Sequence, residues 1–233
     1  MVNFEDVVLD LQKVASTEKA AFFPKFFKTG AGQYGAGDKF IGVSVPNQRI
    51  IAARYSMLHL SEIEKLLNSE IHEHRLTGLL ILVDKFEKST VEEKKLVCEF
   101  YLKNTSRVNN WDLVDSSSYK ILGAYLNDKP RLVLYELVKS ENLWERRIAI
   151  VSTLYFIRKG QFDDTIKISK LLFGDKEDLM HKAVGWMLRE MGKKNEKVLL
   201  KFLNVNYKKM PRTALRYAIE RLSESEKKKY MQK

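Results

Sequence analysis

Cysteine is almost absent from this chain of 233 residues: Cys98 stands alone. An intrachain disulfide is therefore excluded, and a reducing compartment is the natural setting. No apolar run approaches the length needed to span a bilayer. The first residues, MVNFEDVVLDLQKV, are acidic and amphipathic, without the basic start and continuous apolar stretch of a signal peptide. These absences point to the cytoplasm, or to the nucleoid in a bacterium. Proline and glycine are sparse, four and eleven residues, and no segment alternates as a strand does, which argues against a β fold. The four histidines give no zinc spacing: His72 and His74 sit two apart in a helix and diverge, while His59 and His181 are isolated. There is no Walker-type loop and no G-x-S-x-G elbow. Cys98, inside LVCEFYL, reads as a small core residue.

What the chain does have is positive charge, unevenly placed. Residues 1–140 hold 19 basic and 18 acidic side chains; residues 141–233 hold 22 and 12. Nearly all of the net +11 thus lies in the last two fifths. A concentrated positive field favours a polyanion, because binding releases condensed counterions. The competing reading is a merely solubilising surface. A membrane surface fits poorly, since no single helix segregates lysine from large apolar side chains.

Helical periodicity runs almost throughout. The pattern predicts helices over 3–16, 18–28, 46–56, 61–68, 71–88, 91–103, 110–126, 129–139, 142–159, 163–173, 177–193, 195–203, 211–222 and 224–231. Thr90 with Glu93, Ser61 with Glu64, and Ser223 with Glu226 read as capping boxes. Pro46, Pro130 and Pro211 fall near first-turn positions, where a missing N–H costs nothing. Helix pairs spaced about 35–40 residues apart suggest a solenoid of HEAT type, with a compact bundle as the alternative. No domain boundary is visible, so residues 1–233 read as a single domain.

The long irregular stretch is 29–44, TGAGQYGAGDKFIGVS. Gly30, Gly32 and Gly35 satisfy G-x-G-x-x-G, but a helical segment precedes them and no acidic residue follows about twenty positions on, so the dinucleotide fingerprint lacks its context. Positive φ in a tight loop is the better account of these glycines.

The segment richest in chemistry is 109–125, NNWDLVDSSSYKILGAY. Asn109 or Asn110 can cap it, and Trp111 and Asp115, four apart, then share a face. Leu113, Val114, Ile121, Leu122 and Tyr125 form its apolar side, with Asp115 at the edge and three serines after it. A carboxylate beside an indole, backed by small residues, suits a concave site; an exposed Asp with a core Trp is the plainer alternative. In ENLWERRIAI, Trp144 lies three before Arg147. In HKAVGWMLREMGKK, Lys182, Trp186, Arg189 and Lys193 make a stripe at 4-3-4 spacing, cations for phosphates with a ring face for sugars or bases. A core Trp flanked by solvated charges would leave the same pattern.

With these segments, and with GAGDKFIGVSVPNQR and MPRTALRYAIERL at either side, the chain resembles the AlkD-type DNA alkylation repair glycosylases over nearly its whole length. The resemblance implies a right-handed α–α superhelix of HEAT-like repeats, C-shaped, with a basic concave face for duplex DNA. It implies excision of cationic N3- and N7-alkylated purines, without metal or cofactor, by a monomer with no obligate protein partner. The family's catalytic aspartate falls on Asp115, its two sugar-facing tryptophans on Trp111 and Trp186, and its arginine near the carboxylate on Arg147. Arg189 is the expected phosphate contact, with Lys182 and Lys193 beside it. Two groove-lining positions carry different residues here: Phe26 where some members have Tyr, and Ser44 near a Gln. Trp144 matches a tryptophan without a catalytic role and is expected in the core. A non-catalytic HEAT-like DNA binder and a helical-repeat protein scaffold are the rival readings.

Overall fold

The computed structural model describes residues 2–232, which fold as helices joined by turns and loops, with no strand among them. They group into two compact units that divide between Ser117 and Ser118. The first contains α1 (Phe4–Lys13), α2 (Thr17–Phe26), α3 (Val45–Arg54), α4 (Leu60–Leu67), α5 (His72–Lys88), α6 (Val91–Lys103) and most of α7 (Trp111–Ser118). The second contains α8 (Leu132–Leu137), α9 (Leu143–Arg158), α10 (Asp163–Leu171), α11 (Asp178–Lys194), α12 (Glu196–Asn206), α13 (Arg212–Ile219) and α14 (Glu224–Met231). Each lies within a helix expected from the periodicity, or within two to three residues of its ends.

In the first unit α5 is the central element, packed against α3, α4 and α6. Its run TGLLILV is apolar all round, the mark of a helix buried on every side. Leu79, Leu80, Ile81, Leu82 and Val83 are at most 3 % exposed. Burial of each is worth roughly 1.5–3 kcal/mol. Gly78 lets α4 approach: a Cβ there would lie 3.0 Å from Leu66 Cβ. In the second unit α11 packs on α9, α12 and α13. Gly185 makes the closest approach, where a Cβ would stand 2.4 Å from Tyr217 Cβ and 2.5 Å from the Ala214 carbonyl.

Local expectations meet three corrections. Thr90 and Glu93 form a complete capping box and Ser223 accepts from the Glu226 N–H, but Ser61 caps nothing. The helix begins earlier, after His59, and Glu62 in its first turn accepts the Phe4 N–H at 2.9 Å, tying α4 to the start of α1. Pro130 stands two residues before α8 rather than in its first turn; the Arg131 side chain reaches back to the Leu126 and Asn127 carbonyls there. Of the three fingerprint glycines only Gly32 has positive φ (74°), while Gly35 is needed for space, since a Cβ would sit 2.5 Å from the Phe27 carbonyl. A π-helical segment, Tyr119–Gly123, follows α7 directly and had no signal in the periodicity.

Candidate active site

In the first unit, four of the expected site residues meet in one pocket. Trp111 and Asp115, one turn apart on α7, line an open pocket of about 650 Å³ together with Phe26 of α2 and Ser44 at the entry to α3. Its other walls are largely apolar, among them Phe22, Phe23, Phe27, Val43 and Leu76. Phe26 is 50 % exposed and sets its ring edge-on to the Trp111 indole at 5.8 Å; Phe27, buried, stacks on the same indole at 5.5 Å. Asp115 is partly buried. Of the three serines after it only Ser116 lines the pocket. Ser117 points inward, its hydroxyl donating to the Leu113 carbonyl at 2.6 Å.

The start of α7 is set by a buried polar cluster that the sequence pattern did not single out. Asn110 accepts the Trp111 N–H at 2.8 Å and donates to Asp38 Oδ2 at 3.2 Å. His72 lies between two carboxylates, with Nδ1 3.0 Å from Asp38 and Nε2 2.8 Å from Asp112. Arg75 donates to the other Asp38 oxygen at 2.5 Å. Burial alone would push His72 down, but the Asp112 and Asp38 carboxylates overcome it and hold the imidazole at about 9. Burial would likewise raise Asp38, yet the His72 hydrogen bond and the Arg75 charge keep its carboxyl below its ordinary range. Glu73 takes the N–H groups of Ile41, Gly42 and Val43 at 2.7–3.2 Å, fixing the end of the 29–44 loop. The signal available beforehand was the run HEHR opening a helix that is otherwise apolar. Charged groups there must be buried, and buried charges need partners.

In the second unit Arg147 of α9 is buried and donates to the Leu179 carbonyl at 2.7 Å. Trp186 is half-buried on α11. The three cations expected to meet phosphate each have an acidic neighbour in the free protein. Lys182 lies 2.8 Å from Asp178, Lys193 lies 2.8 Å from Glu190, and Arg189 donates to Glu220. Trp144 is 7 % exposed and belongs to the core. Cys98 is buried too. Among the described residues no group of three or more His, Cys, Asp or Glu could hold a metal ion, and no helix is long and apolar enough to cross a membrane.

The family described as DNA alkylation repair enzyme matches residues 7–222. The chain belongs to that family. Membership in the DNA alkylation repair enzymes supports a role in the repair of alkylation damage. A solved structure described as a predicted DNA alkylation repair enzyme from Enterococcus faecalis is similar, with a TM-score of 0.68. It is 20 % identical in sequence, over 90 % of this chain and 97 % of that one, a likeness of fold. No match was found among curated proteins.

Proposed function

We propose that this repair-family protein is a monofunctional DNA glycosylase that hydrolyses the N-glycosidic bond of N3- and N7-alkylated purines, such as 3-methyladenine and 7-methylguanine, in duplex DNA. The observation that carries the reading is the pairing of Asp115 with Trp111 on one helix face at the wall of an aromatic pocket. An N-alkylated purine is already cationic, so its departure needs no protonation. The C1′–N bond breaks, its electron pair leaves with the purine, and positive charge grows on the deoxyribose as in other glycosidic cleavages. A carboxylate at Asp115 stabilises positive charge on the sugar, which the ground-state sugar does not carry, and orients the attacking water. Water adds its oxygen to C1′ and gives up a proton, leaving an abasic sugar and a free base. An indole face at Trp111 adds cation–π attraction that rises with the charge, and Trp186 offers a second indole to the DNA.

In this account Arg147 serves the DNA backbone, Arg189, Lys182 and Lys193 meet phosphates, and Phe26 and Ser44 shape the groove. Both units act together as one domain, residues 1–233, in a cytoplasmic monomer that needs no cofactor. Supporting it further, the second unit exposes Lys193, Lys194, Lys197, Lys201, Lys208 and Lys209 to solvent. The test is incubation of the purified protein with methylated duplex DNA and chromatography of the supernatant. Free 7-methylguanine or 3-methyladenine is the expected product. Tight, salt-dependent binding with neither base released would instead identify a non-catalytic DNA binder.

A further inference from the structure

The proposed chemistry makes no use of the ion-paired histidine beneath the pocket. His72 is 2 % exposed in the first turn of α5, and both of its ring nitrogens face carboxylate oxygens. A neutral imidazole carries one N–H, so one of those contacts would set a nitrogen lone pair against a carboxylate. Two ionised carboxylates at 3.0 and 2.8 Å fit only the imidazolium. The charges close among themselves: Asp38 and Asp112 are balanced by His72 and Arg75, which makes the burial tolerable. Glu73, on the same turn, is turned to the loop amides, and Lys39 in the loop pairs outward with Glu70.

His72 and Asp38 both reach the start of the helix that carries the proposed reacting residues. Asp112 and Asn110 flank Trp111 at the start of α7 and are held by His72 and Asp38 respectively. Phe27 touches both ends of the connection, 4.7 Å from the His72 ring and stacked on Trp111. We propose that His72 is a positioning residue, a protonated clamp between the 29–44 loop and the first turn of α7 that fixes how Trp111 and Asp115 present to the sugar. Its catalytic consequence rests on the glycosylase reading; the clamp itself does not. Loss of the clamp lets the first turn of α7 shift, and misplacement of a reacting group by about 1 Å costs on the order of 10²-fold in rate.

Two sets of measurements test it. Nitrogen NMR of histidine-labelled wild-type protein reads the protonation state directly, and one ring keeps both N–H groups at about pH 8, where an ordinary histidine is neutral. Fluorine NMR of fluorotryptophan protein shows the Trp111 resonance, assigned with Trp111→Phe, moved in His72→Gln while those of Trp144 and Trp186 stay. In single-turnover base release, His72→Gln and Asp112→Asn each lose about 10- to 100-fold with duplex affinity within about twofold, and the double variant is no slower than the worse single one. A neutral His72 in the wild type, an unmoved Trp111 resonance, or additive losses would overturn the clamp. Should the wild type release no base, the glycosylase reading fails, and the two spectra still decide the clamp on their own.

Discussion

Raising the pH should weaken this fold earlier than its tyrosines and lysines would, through His72. The folded imidazole titrates at about 9 against an ordinary 6.5, so the folded chain holds a proton that the unfolded chain releases between those values. In that window the folded state binds more protons, and stability falls as pH rises. The contribution is complete below about 6.5 and is lost as pH climbs through about 9. At 1.36 kcal/mol per pH unit the gap is worth on the order of 3 kcal/mol, a large share of the 5–15 kcal/mol typical of a domain. Urea unfolding between pH 6 and 9.5, followed by far-ultraviolet dichroism, measures it. The wild type should lose most of that amount, and His72→Gln should start lower and lack that loss, while His74, held down to about 4 by burial, adds the same small rise near pH 6 to both proteins. Taking the difference between the two proteins cancels other groups that titrate in the window. Parallel pH dependences in the two proteins would refute the reasoning, because the clamp would then carry no net proton linkage.

Further outcomes follow from the geometry. Glu73→Gln removes a charge that receives three loop N–H groups and should cost about 1.5–3 kcal/mol in urea unfolding at neutral pH; an unchanged midpoint would contradict it. Gly185→Ala drives a methyl group into the α11–α13 crossing and should lower stability by about 1–3 kcal/mol, read as a fall in Tm. Glu220→Gln releases Arg189 from its partner and should tighten duplex binding several-fold at low salt, whereas Arg189→Ala should reduce the slope of log affinity against log salt by about 1. Fluorescence anisotropy over a salt series checks both.

The elements were legible because each helix carries its own period and several carry their own N-caps. Trp111 and Asp115 were legible for the same reason, since both lie on α7 four residues apart and local spacing alone puts them on one face. What stayed hidden depends on contacts distant in sequence. Ser61 and Glu64 have the right spacing for a cap, yet the helix starts after His59, where Glu62 answers the Phe4 N–H 58 residues away. His72 offers nothing by itself; its role comes from Asp38 and Asp112, 34 and 40 residues off. The acidic partner of Arg189 is Glu220, 31 residues away; those of Lys182 and Lys193 lie one helical turn off and could have been read from spacing, so a stripe that reads as bare cations is partly neutralised in the free protein. The π segment after α7 has no such account: its side chains read as ordinary helix.

The central claim is that the Asp115 carboxylate does chemistry on a sugar, and single-turnover release of 7-methylguanine from a methylated duplex by wild type and Asp115→Asn tests it most directly. The account predicts that the asparagine variant binds the duplex as well as wild type and releases base slower by on the order of 10²-fold or more. Equal rates for the two proteins would contradict it.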